Sequence, residues 1–300
     1  MDTIIASACP GEHAEVAEEG FREGEALLPE AHMKADLMVS LAEKIRQRRN
    51  DAFAHVPFCL TVEAELLGAH VKIGGQMFGP RVTDSAYRSV QEILDADFPV
   101  SVNTGRLGVV YEAMDNLSGY APVIFNVSGL FTLVSYLLEL NVFFKSLRRV
   151  PESTNALLRK ISDFVLRVIE GAVQHGASII SYADPLCDIA IMGPRMFADI
   201  GAPVTCDLIE RSLAVPSIRM IHLCARLSSN LRAVGRAEAS IVARPGAESY
   251  GAGLLETLRA GGVSLVGNGC AQMTHVRRYS VDLYEITLKR RDATPFKRQS

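Results

Sequence analysis

His222 and Cys224, in Met220-Ile-His-Leu-Cys-Ala225, are the pair whose types and spacing can do chemistry. They close an apolar run, Ser217 to Ile221, that reads as a buried strand, and side chains two residues apart on a strand leave the same face. An imidazole and a thiol therefore point together from a strand end. Cys270, in Val266-Gly-Asn-Gly-Cys270, follows a second Gly-bounded apolar run. Two sulfurs and one nitrogen with a fourth position open is the donor set of a catalytic zinc site. His275, five residues beyond Cys270, is a possible substitute ligand. The blander reading of the pair is a packed histidine beside an inert thiol.

The elements that position these residues repeat from about residue 50 onward. Short apolar strands end in Gly, Pro, Asp or Asn, and each is followed by a longer helical pattern, the mark of βα units around a parallel sheet. The pattern predicts strands over Ala52 to Phe58, Pro122 to Val127, Ala177 to Tyr182, Ser217 to Ile221, Ser240 to Ala243 and Val263 to Val266, with Asp2 to Ala8 as a further candidate. Helices are predicted over Pro29 to Arg49, Gly105 to Asn116, Leu130 to Leu147, Ser153 to His175, Pro194 to Ser212 and Tyr250 to Arg259. Tyr279 to Leu288 alternates like a strand.

Chemistry in such folds gathers at the carboxyl ends of the strands. Glu63 in Thr61-Val-Glu-Ala-Glu65 and Asp184 in Ser181-Tyr-Ala-Asp-Pro185 fall at predicted strand ends, beside His222, Cys224 and Cys270. Asp184 also reads as a helix cap or turn residue ahead of Pro185. Cys9, Cys187 and Cys206 read as small buried residues. Cys59 is ambiguous because it lies near Glu63.

Composition bounds the rest. Three hundred residues, 48% of them hydrophobic and without a long linker, predict a single domain over 1–300 with a divergent segment 1–28 and a flexible tail 289–300. The 31 basic and 34 acidic residues give a net charge of −3, which offers no field for nucleic acid or an anionic membrane. Six cysteines without disulfide-framework spacing, and no signal peptide ahead of them, predict a reducing, cytoplasmic setting. The stretch Gly129 to Phe144 is too short and too polar to span a bilayer comfortably and reads as a core-facing helix.

Several segments together resemble one family. Val56-Pro-Phe-Cys-Leu-Thr-Val-Glu-Ala-Glu-Leu-Leu-Gly68, Gly129-Leu-Phe-Thr-Leu133, Ala183-Asp-Pro185, Gly193-Pro-Arg-Met-Phe197 and Ile221-His-Leu-Cys224 are similar, in order, to the uroporphyrinogen decarboxylase-like superfamily. Within it the chain looks like the branch of methylcobamide:coenzyme M methyltransferases and related corrinoid-dependent enzymes. The resemblance implies a (β/α)8 TIM-type barrel, shortened or irregular at both ends, since the interval from Cys224 to Cys270 is shorter than usual by about one βα unit. It implies Zn2+ on His222, Cys224 and Cys270, and a thiol substrate methylated from a methylcobamide that a partner corrinoid protein presents. Under that reading Glu63 is a fourth zinc ligand or the acceptor of the thiol proton, and Asp184 orients His222. Three alternatives stay open: a porphyrinogen decarboxylase, disfavoured by the scarcity of N-terminal arginines; a transferase passing methyl from a donor to the corrinoid protein; and a docking subunit without catalysis.

Overall fold

A computed structural model of the chain describes residues 27–75, 78–242, 249–276 and 282–289. Five strands run parallel: β1 (Ala54–Val56), β4 (Val123–Ser128), β5 (Ala177–Ala183), β6 (Ile221–Leu223) and β8 (Leu265–Gly267). A hairpin of β2 (His70–Lys72) and β3 (Arg81–Asp84) forms a separate small sheet. The main sheet has the order β1-β4-β5-β6-β8-β9-β7, where β7 is Ala237–Ile241 and β9 is Tyr284–Leu288. β9 runs antiparallel to both of its neighbours. The architecture is α/β, and the ladder among the described residues is open, with β1 and β7 at its two ends.

The short Cys224 to Cys270 interval was expected to lack one βα unit; in the structure a strand, β7, lies between β6 and β8 in sequence but has left their row. β7 follows β6 in the chain but pairs with β9 at the far edge, so β6 and β8 lie side by side, with His222 opposite Val266. The segments carrying His222 and Cys270 are therefore direct neighbours.

Strand alternation divides the apolar residues between two faces. Val123, Phe125, Val127, Ile180, Tyr182, Ile221 and Leu223 join the large core. On that side lie α4 (Gly105–Leu117), α5 (Leu130–Leu137), α6 (Leu140–Arg149) and α7 (Pro151–Gln174). α7 carries the predicted stripe Leu157, Leu158, Ile161, Phe164, Val165, Val168 and Ile169, every member buried. Each such side chain contributes roughly 1.5–3 kcal/mol of gross hydrophobic stabilisation. Phe53, Ile124, Ile179, Met220 and Val266 form a second cluster, closed by Tyr250, Leu254 and Leu258 of α12 (Tyr250–Ala260). A closed barrel would turn this face inward; here one helix helps to cover it.

Two of the differences from the predicted elements bear on the strand ends. The helix predicted over Leu130 to Leu147 is two helices, α5 and α6, set at 114°. Leu138 between them is extended (φ −142°, ψ 141°) and wholly buried, so the chain gives up a helical turn to place that side chain in the core. The strand predicted over Ser217 to Ile221 starts only at Ile221, because Ser217 adopts a left-handed φ of 67° that interrupts extended backbone. His222 thus lies inside β6. The expectations for Asp2 to Ala8 and for 290–300 fall outside the described residues. Among those described, no single helix is long and apolar enough to cross a membrane.

Lys160 on α7 ties in an outlying element. Its ammonium donates to the carbonyl oxygens of Ile93 (3.0 Å), Leu94 (2.8 Å) and Ala96, closing the carboxyl end of α3 (Val90–Asp95), and it stands 4.6 Å from the Phe98 ring centre. Helix carbonyls without partners favour a cation there. Lys160→Met is expected to destabilise the protein by about 1–3 kcal/mol and to raise amide hydrogen exchange in 90–96. Unchanged exchange in that segment would count against this cap.

Candidate active site

The two carboxylates singled out by sequence are both buried, Asp184 at the end of β5 and Glu63 in the short helix that comes next after β1, and both hold neighbouring elements. Glu63 sits on α2 (Val62–Leu66), which follows β1 directly. Its Oε1 accepts the Ser128 N–H (3.0 Å) and its Oε2 the Ser128 hydroxyl (3.2 Å), so it joins α2 to the end of β4. Burial raises its pKa above the ordinary carboxylate value, against the pull of the Ser128 hydrogen bonds and the Arg106 charge. Asp184, at the end of β5, accepts the Phe131 N–H, the Thr132 N–H (2.9 Å each) and the Thr132 hydroxyl (2.8 Å). It caps α5 from across the fold, the structural role its place before Pro185 allowed.

His222 faces the covered side of the sheet and is 1% exposed. Burial lowers its pKa to about 4, so the imidazole is neutral at physiological pH. Its Nε2 lies 2.9 Å from the Tyr250 hydroxyl, and its buried Nδ1 has no hydrogen-bond partner among the described residues. The side chain that meets His222 is thus Tyr250, while the contacts of Asp184 run to α5.

Cys224 follows β6 immediately. Its N–H donates to the Tyr182 carbonyl (3.3 Å), and it stands at the N-cap position of α11 (Ala225–Ala233). Cys270 ends the turn Gly267-Asn-Gly-Cys270 after β8 and is 7% exposed. That turn is pinned twice: the Asn268 N–H donates to Ser228 Oγ on α11 (3.1 Å), and the Gly269 N–H donates to Tyr250 Oη (3.1 Å). Asn268 takes a left-handed φ of 83°, a conformation asparagine tolerates better than most residues. The backbones bearing His222, Cys224 and Cys270 are thus joined through adjacent strands, α11 and Tyr250. Among the described residues, no three His, Cys, Asp or Glu side chains already enclose a point where an ion would sit.

His275, the substitute ligand, belongs to a polar group around Asp51. Its Nδ1 lies 4.0 Å from Asp51, in a group where His55 Nε2 meets Asp51 (3.3 Å) and the Thr274 hydroxyl (3.2 Å). Sequence reasoning did not single out this group, nor Arg106, which is buried against Glu65, Thr61 and Cys59. A cavity of about 330 Å3 opens nearby, lined by Thr61, Arg81, Asp84, Ser135 and Tyr136.

Residues 15–249 match the family described as Uroporphyrinogen decarboxylase (URO-D). The chain belongs to that family. Among curated relatives, the methylcobamide:CoM methyltransferase MtbA of Methanosarcina mazei is 27% identical over 70% of this chain and 63% of its own length. The methylcobamide:CoM methyltransferase MtaA of Methanosarcina barkeri is 26% identical over 68% of this chain and 60% of its own. A methylated-thiol–coenzyme M methyltransferase of Methanosarcina mazei is 25% identical over 68% and 55%. The match therefore spans somewhat less than two thirds of these relatives. A solved structure titled methyltransferase from Methanosarcina mazei superposes with a TM-score of 0.63 at 24% identity, over 72% of this chain and 65% of that one. This likeness shows the URO-D-like α/β fold of TIM type, here with an open ladder.

Proposed function

We propose that this URO-D family chain is a methyltransferase that moves a methyl group between a corrinoid carried by a partner protein and a small thiol, using zinc held by His222, Cys224 and Cys270. The structural observation that carries the reading is the neutral, buried His222 imidazole, whose Nδ1 has no hydrogen-bond partner among the described residues, with two cysteines just past adjacent strands. The names of the relatives support the reaction class. The donor set suits the ion: two thiolates and a neutral imidazole balance its charge and leave one position for substrate.

When bound, zinc supplies the Lewis acidity that keeps a substrate thiol in its anionic form at neutral pH. The transfer itself balances simply. Thiolate sulfur forms a bond to the methyl carbon as the cobalt–carbon bond breaks, and the electron pair stays on cobalt, which passes from cobalt(III) to cobalt(I). Glu63, with its proton affinity raised by burial, receives the proton the thiol gives up. Asp184 and Ser128 hold α5 and α2 around the strand ends, which keeps the reacting groups in register. Decarboxylation of a porphyrinogen is the weaker reading, because Arg106 is taken up by Glu65 and Thr61 instead of standing free for a substrate carboxylate.

Purified protein is expected to hold about one zinc per chain, lost in His222→Ala, Cys224→Ser and Cys270→Ser. Methylcobalamin with a small thiol should then yield cobalt(I), at a rate reduced at least about 100-fold in the same variants. Zinc retained in Cys270→Ser would transfer the third position to His275 or Glu63. Protein that neither binds zinc nor transfers methyl, yet decarboxylates a porphyrinogen, would overturn the proposal.

A further inference from the structure

We propose that Tyr250 is a positioning residue that sets the tautomer of His222, holding the ring proton on Nε2 and leaving the Nδ1 lone pair as the donor. Its value for metal binding rests on the zinc reading above; the tautomer does not.

The argument is a count of protons. A phenol has one proton to give and two lone pairs. Among the described residues, three groups meet Tyr250 Oη: the Gly269 N–H at 3.1 Å, the Gly267 carbonyl oxygen at 3.2 Å and His222 Nε2 at 2.9 Å. The first can only donate and the second can only accept. Giving the phenol proton to Gly267 leaves a lone pair for His222, so Nε2 must carry hydrogen. The reverse assignment sends the phenol proton to Nε2, strips Gly267 of this donor and places a proton on Nδ1, which is buried and has no acceptor among the described residues. A buried lone pair is then exchanged for a buried donor without a partner, which is the costlier omission.

The phenol has little freedom to escape this arrangement. A Cβ on Gly269 would lie 2.2 Å from Tyr250 Cζ, so the turn backbone rests directly against the ring. Tyr250 is 3% exposed, and it meets the imidazole edge-on at 81°. From below, Leu254 and Leu258 share its cluster with Met220 and Val266. One hydroxyl thereby couples the strand of His222 to the turn of Cys270.

The test is nitrogen NMR on metal-free protein labelled with 15N-histidine. In the wild type, His222 is expected to show a protonated Nε2 and a pyridine-like Nδ1; in Tyr250→Phe the proton should redistribute to Nδ1. Leu254→Ala, which loosens the same helix but keeps the hydroxyl, should retain the wild-type pattern. A wild-type proton on Nδ1, or an unchanged spectrum in Tyr250→Phe, overturns the proposal. Zinc affinity should fall 10- to 100-fold in Tyr250→Phe. An affinity equal to wild type also overturns it, whereas the expected tautomers in a wild type that binds no zinc would uphold Tyr250 and remove the zinc reading.

Discussion

Asp184→Asn is expected to lower stability by about 2–4 kcal/mol, one of the largest losses from any single-group change in this protein. The carboxylate meets three donors within 2.9 Å: Phe131 N–H, Thr132 N–H and Thr132 Oγ–H. These are first-turn donors of α5, which no earlier turn can satisfy. The N-cap position itself is Gly129, which has no side chain to offer. An asparagine presents one acceptor oxygen, and its NH2 group confronts an N–H that the second carboxylate oxygen used to accept. Gly129→Ala should be comparably harmful, because the added Cβ would stand 2.2 Å from Asp184 Cβ. Urea denaturation measures both. A loss under about 1 kcal/mol in Asp184→Asn would mean that solvent, and not this cap, satisfies α5.

That cap explains part of what was legible in the sequence and part of what was not. β4 and β5 were placed to within one residue at each end, because β-branched and aromatic runs bounded by Pro, Gly and Asp leave few other readings. α7 was equally plain from its 3.6-residue stripe. The break between α5 and α6 was invisible, since neither Pro nor Gly marks it and only the burial of Leu138 demands it. At the site, residue type and spacing pointed to His222, Cys224 and Cys270, and the pairing of β6 with β8 brings their segments together. What sequence could not show were partners defined by contact across the fold. Tyr250 looks like any apolar helix residue until its hydroxyl is seen among Gly267, Gly269 and His222. Asp184 looked able to reach His222 because both lie at neighbouring strand ends; the glycine at 129 decides which way the carboxylate turns.

A second large effect is expected on acidification, and it comes from His32. This residue is 4% exposed, set edge-on against Phe58 with ring centres 6.0 Å apart. Burial, helped by the Arg106 charge, lowers its pKa to about 4, whereas an unfolded histidine titrates near 6.5. Between those values the unfolded chain binds a proton that the native protein refuses, so stability from this group is complete above about pH 6.5 and is lost as pH falls toward 4. From pH 7 to 4.5 the loss should be about 2–3 kcal/mol. Glu63 and Asp184, whose pKa values are raised by burial, act in the opposite sense: their native forms hold protons more tightly, which favours folding as pH falls. Comparison with His32→Gln removes that opposition, because both carboxyls remain in the variant and cancel in the difference. The wild type should therefore lose about 2–3 kcal/mol more than His32→Gln over this interval. Parallel stability curves for the two proteins would show that His32 titrates as freely in the folded chain as in the unfolded one, and that water reaches its ring beside Phe58.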